Sequence, residues 1–448
     1  MNKVRVIGAG LAGAEAAYQI ARLGVPVELF EMKPRRFSPA HHSEGFAELV
    51  CSNSLRSADT SNAVGLLKEE LIRLGSLVME AAYATRVPAG SALAVDRKLF
   101  SEYITARILE NPLITVRCEE VTDLSDTETV TVVASGPLTD GALAEEISAL
   151  TGCRSLSFYD AAAPIVDFAT VDTEIAYFAT RYGKGNPEDY LNCPMTKEEY
   201  DVFYDALIHA EEAPLKEFDA AAQKKDIAVF EGCMPVEVMA RRGYDTLRYG
   251  PMKPVGLPNP KTGEEAYAVV QLRRENVEGT MYNLVGFQTH LTFGEQKRVF
   301  GMIPGLARAE FFRFGVMHRN TYLHSPGLLG SDYSLLSRPT LYFAGQMTGV
   351  EGYVESASSG FVAGVNAARR VLGYGPLPLS EKTVIGSLAA YVAKGGSGAF
   401  QPMNANFGII APLDKKVKGG KKFRNAEYAV RSLEEIDAIV GEGKLRLP

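Results

Sequence analysis

The chain has 448 residues, 46% of them hydrophobic, and a formal net charge of −7. That length buries a large core in two or three domains, and the longest apolar runs are strand-sized, well below the roughly 18 residues a membrane span requires. Five widely spaced cysteines (Cys51, Cys118, Cys153, Cys193 and Cys233) contain no CxxC pair, which counts against a disulfide framework and a zinc site and favours a reducing cytoplasm.

From the first residues, with no signal-peptide pattern ahead of it, Val4-Arg5-Val6-Ile7 reads as a buried strand. Gly8-Ala9-Gly10-Leu11-Ala12-Gly13 follows, then a helix over 14–23 closed by Gly24. In such a turn Gly8 leaves the strand sharply, Gly10 admits a pyrophosphate to the backbone, and Gly13 brings helix onto strand, while free helix amides face the phosphates. A second strand over 25–30 ends on Glu31, placed to accept hydrogen bonds from an adenosine ribose and to repel a 2′-phosphate. Strand, glycines, helix, strand and acid in this order predict a dinucleotide site, with NADP disfavoured there.

A strand over 130–134 reads as a returning element of the same domain, and the composition then shifts towards aromatics, turns and polar stretches. The predicted divisions are 1–170 and 325–448 as two parts of one nucleotide domain, with 171–324 inserted between them. Near the end, Thr340 to Gln346 is an apolar strand breaking at Gly345, and Gly349-Val350-Glu351-Gly352-Tyr353 leads into a small-residue helix. A late strand and helix of this type, with Gly345, Gln346 and Tyr353, is expected to return to the flavin end of FAD. The predicted fold is therefore α/β, a Rossmann-like FAD-binding domain of the two-dinucleotide-fold flavoprotein type with an inserted α+β domain. No second GxGxxG follows a strand, so a nicotinamide reductant is expected to dock transiently. Cys118 and Cys153 read as small buried hydrophobes, and Cys193 is open. The pair His41-His42 has no acid or cysteine at metal-ligand spacing. Residues 415–424 hold Lys415, Lys416, Lys418, Lys421, Lys422 and Arg424 with no acid, either a solvated loop or a positive surface in an acidic protein.

Five segments carry a resemblance: residues 8–16, Glu48-Leu49-Val50-Cys51-Ser52-Asn53-Ser54, Glu231-Gly232-Cys233-Met234-Pro235, Phe287-Gln288-Thr289-His290-Leu291, and Pro402-Met403-Asn404-Ala405-Asn406-Phe407-Gly408. Together, in this order, they resemble the folate- and FAD-dependent tRNA (uracil-5-)-methyltransferase family. The resemblance implies methylation of the T-loop uridine of tRNA at C5, with methylenetetrahydrofolate as one-carbon donor, FAD as cofactor, and NADH or NADPH as reductant. Neither a membrane nor a protein partner is implied. Uracil C5 must first be activated by thiolate addition to C6, and Cys233 is the expected nucleophile, Cys51 its partner thiol, with the reverse assignment open. His290 is the candidate to stack over the folate. Arg241 and Arg242, with Arg273, Arg274 and the basic stretch, are the candidate RNA contacts. The same chemistry on ribosomal RNA, or a flavin oxidoreductase acting on a folate or small amine without RNA, are the alternatives.

Overall fold

The computed structural model describes residues 3–152, 156–213, 234–396, 400–414 and 417–445. Its first sheet has six strands in the order Ser334–Leu335, Arg338–Phe343, Thr131–Val133, Val4–Ile7, Val27–Glu31 and Ile114–Cys118. The last five run parallel, and only Ser334–Leu335 at the edge is antiparallel. Strands from both ends of the chain thus share one sheet, with Val6 registered against Leu29 on one side and Val132 on the other.

Helix Leu11–Arg22 begins three residues earlier than the periodicity suggested, directly at the glycine turn. It is buried almost throughout because it lies under the sheet and against helix Tyr353–Val371. Small residues permit that contact. A Cβ on Gly360 would stand 2.2 Å from the carbonyl oxygen of Ala12, and one on Gly364 would stand 2.7 Å from the Ala16 Cα. Glu15, also in this helix, is fully buried and accepts from the Ser76 hydroxyl at 2.7 Å and the Val78 amide at 2.9 Å, tying down the start of helix Leu77–Ala84. Burial raises its carboxyl above the usual range, and those hydrogen bonds oppose the rise.

The inserted part is built on an antiparallel six-stranded sheet in the order Tyr177–Phe178, Tyr190–Met195, Ala268–Arg274, Met281–Leu284, Ile165–Asp167 and Phe311–Arg313. A two-stranded ribbon, Leu156–Ala161 with Met317–Tyr322, connects it to the nucleotide domain. Ile165–Asp167, ahead of residue 171, pairs inside the antiparallel sheet. Its core is a separate apolar cluster that includes Tyr200, Phe203, Phe287 and Phe300. Cys193 belongs to this core, where burial pushes its thiol up and leaves it inert, whereas Cys118 is exposed at a strand end rather than buried. A small third sheet, Ser54–Ser57, Ala92–Val95 and Arg86–Val87, follows directly on the Cys51 segment. No helix among the described residues is long and apolar enough to cross a membrane.

Gly360→Val inserts side-chain volume where the backbone of Ala12 already fills the space, an overpacking that costs roughly 1–3 kcal/mol or more. The variant is expected to unfold at lower temperature and to lose bound flavin, read together by thermal denaturation and visible absorbance.

Candidate active site

A deep cleft lies at the carboxyl ends of the parallel strands, where open α/β sheets place their ligands. Gly8, Gly10, Leu11 and Ala12 form its floor, with Glu31, Ser135, Gly136, Gly345, Gln346 and Tyr353 around it and Cys51 at one end. Gly8 has φ of +94°, and a Cβ there would meet the Ala134 carbonyl oxygen at 2.6 Å, so the turn requires glycine. At Gly10 a Cβ would meet nothing within 4 Å, which leaves bare backbone facing open space. That is the cradle a pyrophosphate needs at a helix N-terminus. Ala9, Ala12 and Gly13 shape the turn: the Ala9 carbonyl accepts from Ala47 N–H at 2.9 Å, and Gly13 packs so closely that a Cβ would lie 1.8 Å from the Gly8 oxygen.

Glu31 is buried, and its two oxygens accept from the Ala9 amide at 2.8 Å and the Lys33 amide at 3.0 Å. The carboxylate therefore fixes the glycine turn as well as lining the cleft. Beyond it Lys33 reaches back to the carbonyls of Ser43 (3.1 Å) and Gly45, and His41 meets the Ser38 hydroxyl at 2.6 Å. Burial lowers both the Lys33 ammonium and the His41 imidazole. Neither residue carries a motif; sequence reading weighed His41 only as a metal ligand and did not single out Lys33.

At the other end, Gly345 takes φ of +85° and donates to the Ser359 hydroxyl at 2.7 Å, which seats the late turn on its helix. Tyr353, half-buried, accepts at its hydroxyl from the amides of Cys51 at 2.8 Å and Ser52 at 3.2 Å. Burial first and the neighbouring Cys51 second hold its phenol well above the usual range, so it stays protonated. Arg97 grips the same loop, donating to the carbonyls of Leu49 at 2.6 Å and Val50 at 3.1 Å while pairing with Glu275 of the inserted part at 2.7 Å. Arg273 donates to Ser52 at 2.9 Å and Asn53 at 3.2 Å. Two non-glycine residues with positive φ, Ala47 at +50° and Arg56 at +65°, flank the loop. Such strain persists only where the surroundings over-determine the backbone, and here Ala47 bonds to Ala9 while Arg56 pairs with Glu355. Glu355 also accepts from the Ala405 amide at 2.8 Å, so the 402–408 motif supports the start of helix Tyr353–Val371.

Several predicted site residues lie elsewhere. Arg273 is buried against Ser52 and Asn53 and offers no surface to RNA, a correction to the sequence reading, because its donors hold the Cys51 loop. His290 is not among the residues lining the cleft. Its Nδ1 lies 3.8 Å from Glu212, which also pairs with Arg241, and these contacts push the Glu212 carboxyl down to about 2. Arg241 is thus locally neutralised. Lys418, Lys421, Lys422 and Arg424 are exposed, the last three in the first turn of helix Lys421–Gly441. Cys233, Lys415 and Lys416 lie outside the described residues. No group of His, Cys, Asp or Glu among the described residues has metal-binding geometry.

The family described as Glucose inhibited division protein A matches residues 3–374. A relative from Heliobacterium modesticaldum, called methylenetetrahydrofolate--tRNA-(uracil-5-)-methyltransferase TrmFO, is 58% identical over 98% of both chains. One of the same name from Acetivibrio thermocellus is 56% identical over 99% of both. The chain belongs to the TrmFO family. Among solved structures, GidA of Aquifex aeolicus superposes with a TM-score of 0.68 at 17% identity, covering 99% of this chain and 75% of that one, and so shares the fold.

Removing the Glu31 carboxylate by Glu31→Ala deletes two hydrogen bonds to a charged acceptor, each worth about 1.5–3 kcal/mol. Flavin affinity is expected to fall at least tenfold, measured by titrating the apoprotein with FAD, and an unchanged affinity would remove Glu31 from the site.

Proposed function

We propose that this chain methylates C5 of a T-loop uridine in tRNA, taking the one-carbon unit from methylenetetrahydrofolate, with FAD as cofactor and NADH or NADPH as reductant. The observation that carries the reading is the position of Cys51, which lines a dinucleotide cleft on a loop whose backbone Arg97 and Tyr353 hold. The name borne by the relatives favours tRNA over ribosomal RNA and over a flavin oxidoreductase acting without RNA. A cytosolic location accords with an RNA substrate and a reduced thiol.

Gly8, Gly10, Gly13 and Glu31 hold the dinucleotide, and Gly345, Gln346 and Tyr353 border the flavin end, where bound FAD supplies the redox chemistry. The protein supplies sulfur. Cys233 is the proposed nucleophile: its thiolate adds to uracil C6, which places an enolate at C5 that takes the one-carbon unit. C5 then loses its proton, the attached carbon is reduced to methyl, and the thiolate leaves C6 as the ring double bond reforms. Cys51 acts as the partner thiol beside that carbon, and His290 is the proposed planar contact to the folate. The exposed Lys418, Lys421, Lys422 and Arg424, with Lys415, Lys416, Arg241 and Arg242, are the proposed RNA contacts.

Incubation with unmodified tRNA, labelled methylenetetrahydrofolate and a nicotinamide reductant is expected to place label in ribothymidine. Reductant consumption without label in RNA would instead support the oxidoreductase. In a second experiment, replacing Lys418, Lys421 and Lys422 by Gln is expected to weaken tRNA binding and flatten its salt dependence by up to three phosphate contacts, while flavin reduction proceeds unchanged. Unaltered RNA affinity would return the stretch to a solvated surface.

A further inference from the structure

Two exposed aromatic side chains from distant parts of the chain are each seated on a glycine rather than in a core. Tyr182 of the inserted part is 59% exposed, and a Cβ on Gly256 would stand 2.4 Å from its ring. Phe423, in the first turn of helix Lys421–Gly441, is 61% exposed, and a Cβ on Gly419 would stand 2.7 Å from its ring. Tyr182 takes φ of +58°, a conformation that bulky residues rarely adopt. Its amide holds the turn by donating to the Gly256 carbonyl at 2.9 Å, and Arg181 donates to the carbonyls of Val255 and Lys253, the second at 2.8 Å. That strain fixes the direction of the ring without burying it.

Hydrogen bonds link the two ring-bearing segments through one surface turn. Asn425, two residues past Phe423, donates to the Ser61 carbonyl at 2.9 Å. In the other direction the Ala58 amide donates to the Ser91 carbonyl at 3.0 Å, and the adjacent Gly90 lies so close to the Tyr182 loop that a Cβ on Gly185 would stand 2.8 Å from its Cα. Tyr190 closes the contact by donating to the Ala89 carbonyl at 3.0 Å. Lys184, Lys418, Lys421, Lys422 and Arg424 are exposed here, and none forms an ion pair among the described residues, whereas Lys197 and Lys394 elsewhere are paired with Asp201 and Glu381. Asp59, in the linking turn, accepts from the Ser61 amide at 2.8 Å. Hydrogen bonds from Ser61 hold its carboxyl below the usual range, and Lys422 and Lys184 lower it further. From this turn, strand Ser54–Ser57 leads directly back to the Cys51 loop.

We propose that Tyr182 and Lys184 extend the RNA surface of the 418–424 stretch onto the inserted part, with Tyr182 stacking on an unpaired base and Lys184 meeting a phosphate. The inference rests on the RNA reading under Proposed function. Unpaired cations set between exposed rings suit a single-stranded segment, whose backbone is tracked by charge and whose bases are received on aromatic faces. A paired stem offers phosphates but no free base face, so the ring selects a loop.

Binding of the FAD-loaded protein is measured with two RNAs, a T-arm hairpin and a fully paired duplex of its stem. Tyr182→Gly removes the ring and suits the positive φ. It is expected to bind the hairpin about tenfold more weakly and the duplex as the wild type does. Tyr182→Phe keeps the ring and should bind both as the wild type does. Lys184→Gln is expected to reduce the salt dependence on both RNAs by about one phosphate contact. Unchanged hairpin affinity in Tyr182→Gly overturns the proposal, and so does an equal loss on both RNAs, which marks a merely structural effect. If Tyr182→Gly does not retain flavin, an unchanged salt dependence in Lys184→Gln overturns it independently. A wild type that binds neither RNA would overturn the RNA reading itself, and this inference with it.

Discussion

Helix Leu11–Arg22 and helix Tyr353–Val371 come from opposite ends of the chain, and their backbones approach until a single methyl group would not fit between Gly360 and Ala12. Everything at the cleft depends on that approach. It draws the first glycine turn beside the second, so that Gly10 and Gly345 face one space, and it carries Tyr353 to the amides of Cys51 and Ser52. A larger residue at the contact would separate the phosphate cradle from the flavin end without touching a ligand. Close packing of this kind transmits displacement because the interior has no slack to absorb it.

The second constraint is electrostatic and joins the inserted part to the nucleotide domain. The Arg97–Glu275 pair is largely buried, and the desolvation of such a pair commonly cancels its attraction, so its worth lies less in stability than in placement. Arg97 holds two carbonyls of the Cys51 loop with the same guanidinium that reaches Glu275, and Arg273 returns from the inserted sheet to Ser52 and Asn53. Asn53 then donates to the carbonyls of Val95 and Arg274 at 3.0 and 2.9 Å, closing the loop between both parts. The position of the sulfur is thus set jointly by two domains.

Those parts of the site that rest on backbone were legible in the sequence. The glycine turn, Glu31 and the return at Gly345 are local patterns in which spacing alone dictates conformation, and each lines the cleft. The pairing of the antiparallel sheet was not legible, because a strand such as Ile165–Asp167 declares its partners only through long-range contacts. Long-range polar contacts were not legible. Arg97 gains its role from neighbours distant in sequence, and Arg273 looked like surface charge because an arginine in a strand gives no sign of which face is buried. His290 faces Glu212, a residue 78 positions away that no local pattern connects to it.

The basic stretch shows the same limit from the other side. In sequence it is a cluster of charge, but the structure puts Lys421, Lys422 and Arg424 in the first turn of helix Lys421–Gly441, with no acid there to offset them. The helix dipole presents its positive end at that point, so each cation is disfavoured by a few tenths of a kcal/mol relative to the other end of the helix. Phe423, 61% exposed, stands among them and gains nothing from the core. The helix dipole and the exposed ring both count against this arrangement. On the proposed function, phosphates of an RNA drawn to the same positive end would supply the charge that the helix lacks.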